Sequence, residues 1–173
     1  VTPAFRMSAA DRESLVALRR DLHRHPELGF EEHRTAGIVE ARLRAAGLDP
    51  ERFGGTGVAA LLDSGRPGRC VLLRADMDAL PVQEANEHPW ASTIPGRMHA
   101  CGHDGHTAAL VVAAEKLAAL REHLVGQVLF VFQPAEEIGQ GARAMIDDGL
   151  LERYPPDVVF GIHLWSGVPS GDV

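Results

Sequence analysis

Val128-Leu129-Phe130-Val131-Phe132-Gln133-Pro134-Ala135-Glu136-Glu137 is the stretch on which the reading of the fold turns. Its first five residues are an apolar run rich in β-branched and aromatic side chains, which predicts a strand over Val128–Phe132. Pro134 and two carboxylates follow that strand directly. Two other segments repeat the pattern. Cys70 to Leu73 is a continuous apolar run, as a strand buried on both faces requires, and Arg74-Ala75-Asp76-Met77-Asp78 follows it. Val158 to Ile162 reads as a further strand and leads into His163-Leu164-Trp165. Val58 to Leu62, after the Gly54-Gly55 punctuation, is a fourth.

Helical patterns lie between these runs. Ser8 can cap a first helix with Asp11 at the capping-box position, Leu15, Leu18 and Leu22 share one face, and Pro26 marks the exit. A second helix is expected from Glu32 to Ala46, with Ala36, Val39, Leu43 and Ala46 inward and Gly47 as its stop. A third should run from His106 to Arg121, and a short fourth over 140–148, stopped by Gly149. Residues 83–100 read as a long loop, a length usually associated with function. Strands alternating with helices predict an α/β fold, a layered and largely parallel sheet with helices on both faces. Ligands in such sheets gather beyond the carboxyl ends of the strands, which is where three polar clusters fall.

Composition fits this picture. A chain of 173 residues with 45% apolar and 24% charged side chains has ordinary globular make-up. Seventeen basic against twenty-four acidic residues give a formal net charge of −7, which argues against a broad nucleic-acid surface. No run approaches the length of a membrane span. No nucleic-acid or membrane partner is expected, and a cytoplasmic location is. Two cysteines, Cys70 and Cys101, cannot build a disulfide framework.

The densest chemistry is Met98-His99-Ala100-Cys101-Gly102-His103-Asp104-Gly105-His106. Thiolate and imidazole two residues apart are good ligands for borderline-soft metals, although Cys-x-His alone is a weak signal. Glu136-Glu137 and His163, each at a strand end, add carboxylate and imidazole. Adjacent carboxylates on an extended segment point opposite ways, so one could bind metal while the other faces a water, and spacing leaves open which does which. Asp76 and Asp78 would share a face, either orienting a ligand imidazole or capping a turn. Cys70 reads as a small buried hydrophobe. His23 and His25 read as capping or solvated, His33, His88 and His123 as surface residues, and His99 as a neighbour of the metal loop.

Five segments in order carry a resemblance: Leu22-His23-Arg24-His25-Pro26-Glu27-Leu28, Arg74 to Pro81, Met98 to His106, Phe132 to Glu137, and Gly161-Ile162-His163-Leu164-Trp165. They resemble the M20 metallopeptidases, and more narrowly the amidohydrolase branch of hippurate hydrolases, N-acyl-amino-acid deacylases and auxin-conjugate hydrolases. The resemblance implies a zinc-peptidase-like catalytic domain and hydrolysis of the amide bond of N-acyl amino acids. Two divalent ions are implied as cofactors, zinc or manganese first, with cobalt or nickel as further options. By the same resemblance Cys101, His103, Glu137 and His163 are metal ligands, Glu136 is the general base and Asp78 supports the metal cluster. Asp76 stands where wider-family members carry a ligand histidine, and His106 has no ligand role. A distal ligand histidine and a lid histidine have no counterpart here. Residues 1–173 are therefore expected to form the N-terminal part of the catalytic domain, without its C-terminal part or the lid through which the intact protein would form a homodimer. Alone, the chain is expected to be inactive. Two alternatives stay open: a non-catalytic metal-binding fragment, and a thiol amidase using Cys101 as nucleophile.

Overall fold

The computed structural model describes residues 6–169. Helix α1 (Ala9–Arg24) starts with the expected capping box: Ser8 accepts from the Asp11 N–H at 3.1 Å, and Asp11 accepts from the Ser8 N–H at 2.7 Å. Helix α2 (His33–Ala45) ends before Gly47, whose φ of +77° suits glycine. Strands β1 (Pro50–Phe53), β2 (Gly57–Asp63) and β3 (Cys70–Asp76) follow. A long loop, joined by the Leu80–Met98 bridge, leads to α3 (His103–Ala119). Then come β4 (Gln127–Gln133), α4 (Gly141–Asp147), α5 (Leu150–Arg153) and β5 (Val158–Gly161). No helix among the described residues is long and apolar enough to cross a membrane.

The five strands form one sheet in the order β1-β2-β4-β3-β5. The largely parallel sheet expected from sequence is refined to a mixed one. Strand β3 pairs parallel with both β4 and β5, whereas β1–β2 and β2–β4 are antiparallel. The antiparallel edge has a local cause: β1 and β2 are joined only by Gly54-Gly55-Thr56, too short for a parallel crossover. Alternation along the strands divides the core between two faces. Val58, Ala60, Leu62, Phe130 and Phe132 pack with Leu22, Val39, Leu43 and Val111 of α1, α2 and α3. Ala59, Leu72, Leu129 and Val131 face the opposite way, against Met145 and Leu150 of α4 and α5. Helices therefore cover both faces.

Sequence reading undervalued one polar contact. His23, expected to cap or solvate, is buried on the inner face of α1. Its Nδ1 donates to Asp104 Oδ2 at 2.7 Å and its Nε2 to Glu84 Oε1 at 3.2 Å. Arg19 adds a 2.8 Å contact to the same Asp104 oxygen. This network ties the first turn of α3 to α1 and to the long loop. His25 does act locally, donating to the Asp21 carbonyl at 2.8 Å. Burial alone would raise the Glu84 carboxyl, but donation from the Ser92 N–H, the Asn86 amide and His23 outweighs it and holds the group at about 2 against an ordinary 4.5. A depressed carboxylate contributes stability above its unfolded pKa and loses it as pH falls towards its folded one. Urea denaturation between pH 6 and pH 2 should therefore show a steep loss of stability from about pH 4.5 downwards, and Glu84→Gln should flatten that limb. An identical acid limb in the variant would contradict the assignment.

Candidate metal centre

The parallel register sets Asp76 opposite Gln133, so β3 and β4 leave the sheet at the same level. Asp78 lies just beyond one strand and Glu136-Glu137 just beyond the other. Strand β5, parallel to β3, delivers His163 to the same rim. Helix α3 begins there too, three residues earlier than the sequence pattern suggested, with Gly102 as its N-cap at φ +87°. That left-handed glycine turns the chain so that Cys101 and His103 both face the strand ends, and His103 falls in the first helical turn.

His103 is wholly buried. Its Nδ1 donates to the Asp78 carbonyl at 2.9 Å and lies 3.3 Å from Asp78 Oδ1. The second Asp78 oxygen accepts from the Glu137 N–H at 2.9 Å. Asp78 thus fixes the imidazole and the glutamate backbone together. His103 Nε2 has no hydrogen-bond partner, and neither does the buried Oε1 of Glu137. These atoms stand 3.7 Å apart, with Glu136 Oε2 3.8 Å and Asp76 Oδ2 3.6 Å from the same nitrogen. Buried polar atoms are normally paired, so a nitrogen lone pair and a carboxylate oxygen left facing one point fit a cation between them.

Ligand atoms of Cys101, His103 and His163 lie within 4.8 Å of one another, as do those of His103, Glu136 and Glu137. The two sets share His103. Cys101 Sγ is 3.3 Å from His163 Nε2, while His163 Nδ1 donates to the Leu164 carbonyl at 2.7 Å, which leaves Nε2 unprotonated with its lone pair towards the thiol. Desolvation, together with the neighbouring Glu137 and Glu136 carboxylates, pushes the Cys101 thiol up to about 11. A pocket of this sign suits metal cations, and a thiol bound to one ionises. Burial would raise Asp76 and Asp78 as well, but hydrogen bonds from His106 and His103 outweigh it and hold both below the usual carboxylate range.

All six residues singled out from sequence, Asp78, Cys101, His103, Glu136, Glu137 and His163, converge on this rim. The orientation of the glutamates is corrected. They do not point opposite ways along an extended segment, because Glu136 and Glu137 lie in a turn entered through Ala135 at φ +48°. Both carboxylates consequently approach His103. Glu136 remains the more open, its side chain 40% exposed against 19% for Glu137. His106 acquires a role that sequence left blank: Nδ1 donates to Asp76 Oδ1 at 2.6 Å and Nε2 accepts the Leu164 N–H at 2.8 Å, steadying the chain beside His163. His99 is buried with both ring nitrogens unpaired, and burial lowers it to about 4, so it is neutral. Cys70 is buried and free, as expected.

Known proteins resemble this chain in sequence and fold. The sequence profile of peptidase family M20/M25/M40 matches residues 72–173, and the chain belongs to that family. It is 46% identical over 164 residues to an N-acyl-L-amino acid amidohydrolase of Geobacillus stearothermophilus, covering 94% of this chain and 44% of that protein. Identity to the hippurate hydrolase of Campylobacter jejuni is 46% over 155 residues, or 89% of this chain and 39% of the other. The crystal structure of a dinuclear metal binding peptidase of the M20 family from Bacillus subtilis superposes with a TM-score of 0.89 at 40% identity, covering 94% of this chain and 46% of that one. The chain thus spans less than half the length of these relatives.

Gly141 offers a local test of the turn. A Cβ at this position would collide with the Pro134 carbonyl, so Gly141→Ala is expected to destabilise the fold by about 1–3 kcal/mol in chemical denaturation. A neutral substitution would show that the turn carrying Glu136 and Glu137 is looser than described.

Proposed function

We propose that this chain carries the metal-binding and general-base half of an amidohydrolase acting on N-acyl amino acids. The observation that carries the reading is the pair of unpaired buried atoms, His103 Nε2 and Glu137 Oε1, facing one point inside a carboxylate-rich rim. The substrate class is supported by the names of two similar proteins, an N-acyl-L-amino acid amidohydrolase and a hippurate hydrolase. Coverage of only 39–46% of the matched relatives supports reading residues 1–173 as the N-terminal part of a larger catalytic domain. The exposed apolar side chains of Phe160, Ile162 and Trp165 along β5 and its exit suit a face that further chain of such a domain would cover.

In this reading Cys101, His103, Glu137 and His163 would hold two divalent ions, zinc or manganese. When bound, such ions polarise a scissile carbonyl and acidify water. Glu137 suits a ligand because its carboxylate is the more buried and its backbone is fixed by Asp78. Glu136 suits the general base because its carboxylate reaches the same point while remaining open to solvent. It would take a proton from the attacking water and return one to the leaving amine nitrogen. Asp78 holds the His103 tautomer that leaves Nε2 free, a carboxylate–histidine arrangement that raises ligand basicity.

A thiol amidase would draw on the 3.3 Å Cys101–His163 contact. Against it stand desolvation and the neighbouring carboxylates, which keep the thiol protonated unless a cation is bound. Chelation of the intact protein that contains this chain, followed by metal restoration, separates the two: loss and recovery of amide hydrolysis is expected, and activity indifferent to complete metal removal would favour the thiol. In the metal-loaded intact protein that contains this chain, Glu136→Gln should lower turnover of an N-acetyl or N-benzoyl amino acid by about 10²–10⁴-fold while bound metal, measured by elemental analysis, is retained. Wild-type turnover in that variant would remove Glu136 as the base.

A further inference from the structure

The motif around Pro26-Glu27-Leu28 and its continuation to Glu32 has so far been given no chemical work. In the structure it runs beneath both acidic segments of the rim. The Glu27 carbonyl accepts the Ala79 N–H at 2.8 Å, directly after Asp78, and Leu28 forms a parallel bridge with Ala79. Gly29 lies so close to the turn after β4 that a Cβ there would sit 3.1 Å from the Ala135 backbone. Glu32 is wholly buried, and no cationic side chain among the described residues forms an ion pair with it. Its Oε1 accepts the Ala135 N–H at 2.8 Å, across 103 residues of sequence, and its Oε2 accepts the Thr56 hydroxyl at 2.5 Å. Burial raises the Glu32 carboxyl above its ordinary range.

Backbone strain falls at the same place. Among the described residues the non-glycine positions with positive φ are Phe30 at +64° and Ala135 at +48°, one on each side of this contact. Strained residues of this kind persist only where their surroundings hold them. Ala135 immediately precedes Glu136-Glu137. If it relaxed to extended backbone, the two carboxylates would point to opposite sides.

We propose that Glu32 is a positioning residue: by holding the Ala135 N–H it keeps the turn in which Glu136 and Glu137 converge on His103 Nε2. The inference rests on the roles proposed above for those glutamates. Thr56 orients the Glu32 carboxyl, and the Glu27–Ala79 contact ties the same loop to the Asp78 side of the rim. One half-buried loop therefore contacts both acidic arms.

The test begins with hydrogen exchange on the metal-free protein. Glu32→Ala should speed exchange in the 134–141 peptide by about tenfold, the cost of one lost buried hydrogen bond, with α3 unaffected. Glu32→Gln keeps an acceptor for Ala135 and should restore near-native protection, which a general loss of stability would not do. Zinc titration should show affinity reduced by about 10–100-fold in the alanine variant and largely recovered in the glutamine variant. Native protection of 134–141 in Glu32→Ala, or a glutamine variant as impaired as alanine, overturns the proposal. Should Glu32→Ala fail to fold, Thr56→Val frees one Glu32 oxygen and must still loosen 134–141 selectively; unchanged exchange there overturns it equally. A wild-type chain that takes up no zinc would remove the metal reading, while the exchange data would still judge the brace.

Discussion

Parallel pairing of β3 with β4, with Asp76 opposite Gln133, forces two acidic segments to leave the sheet side by side. Everything around the rim answers the resulting electrostatic problem. A carboxylate taken out of water needs donors, or it takes up a proton. Asp76 receives His106 and Arg74, and Asp78 receives His103 and the Glu137 N–H. Once these demands are met, His103 Nε2 and Glu137 Oε1 are left over. The centre is what remains after the neighbouring carboxylates have been satisfied.

The scaffold holds this arrangement from three directions. Packing of α1, α2 and α3 on one sheet face and of α4 and α5 on the other fixes the strand ends. The His23–Asp104–Glu84 network anchors the first turn of α3, so His103 is constrained by its own helix and by the residue next to it. Gly102 and Gly141 allow close turns at the two places where the chain doubles back beside the rim. Of the proposed ligand residues His103 lies within a helix, while Cys101, Glu137 and His163 sit within four residues of a helix or strand end that holds them near the rim.

Features governed by local chemistry were legible in the sequence. The Ser8–Asp11 capping box, the Gly47 stop and the apolar runs of β2, β3, β4 and β5 each depend on residues close in the chain. The grouping of Asp78, Cys101, His103, Glu136, Glu137 and His163 was legible through strand ends and ordered motifs. Long-range contacts were not. His23 reads as a helix-end residue because its partners lie 61 and 81 positions away. The divergence expected of Glu136 and Glu137 follows from an extended backbone, and nothing in Pro134-Ala135 announces the left-handed turn that a buried Glu32 supports. Strand β1 escaped notice because Pro50-Glu51-Arg52-Phe53 has almost no apolar pattern and forms only by pairing with β2. Helix α3 starts early because Gly102 serves as its N-cap without the side-chain oxygen by which such starts are recognised.

Strand β5 differs from the other elements that reach the rim. Among the described residues it pairs with β3 alone, and its outward side chains are exposed. Its exit is nevertheless cross-linked to α3, through the Leu164 N–H on His106 and through His163 beside Cys101. Thermodynamic reciprocity then applies to this edge. Any free energy by which a cation on His163 favours the docked strand must reappear, equal in size, as added affinity for that cation when the strand is already docked. Whatever secures or loosens the outer edge of the sheet would thereby retune cation binding at the proposed centre.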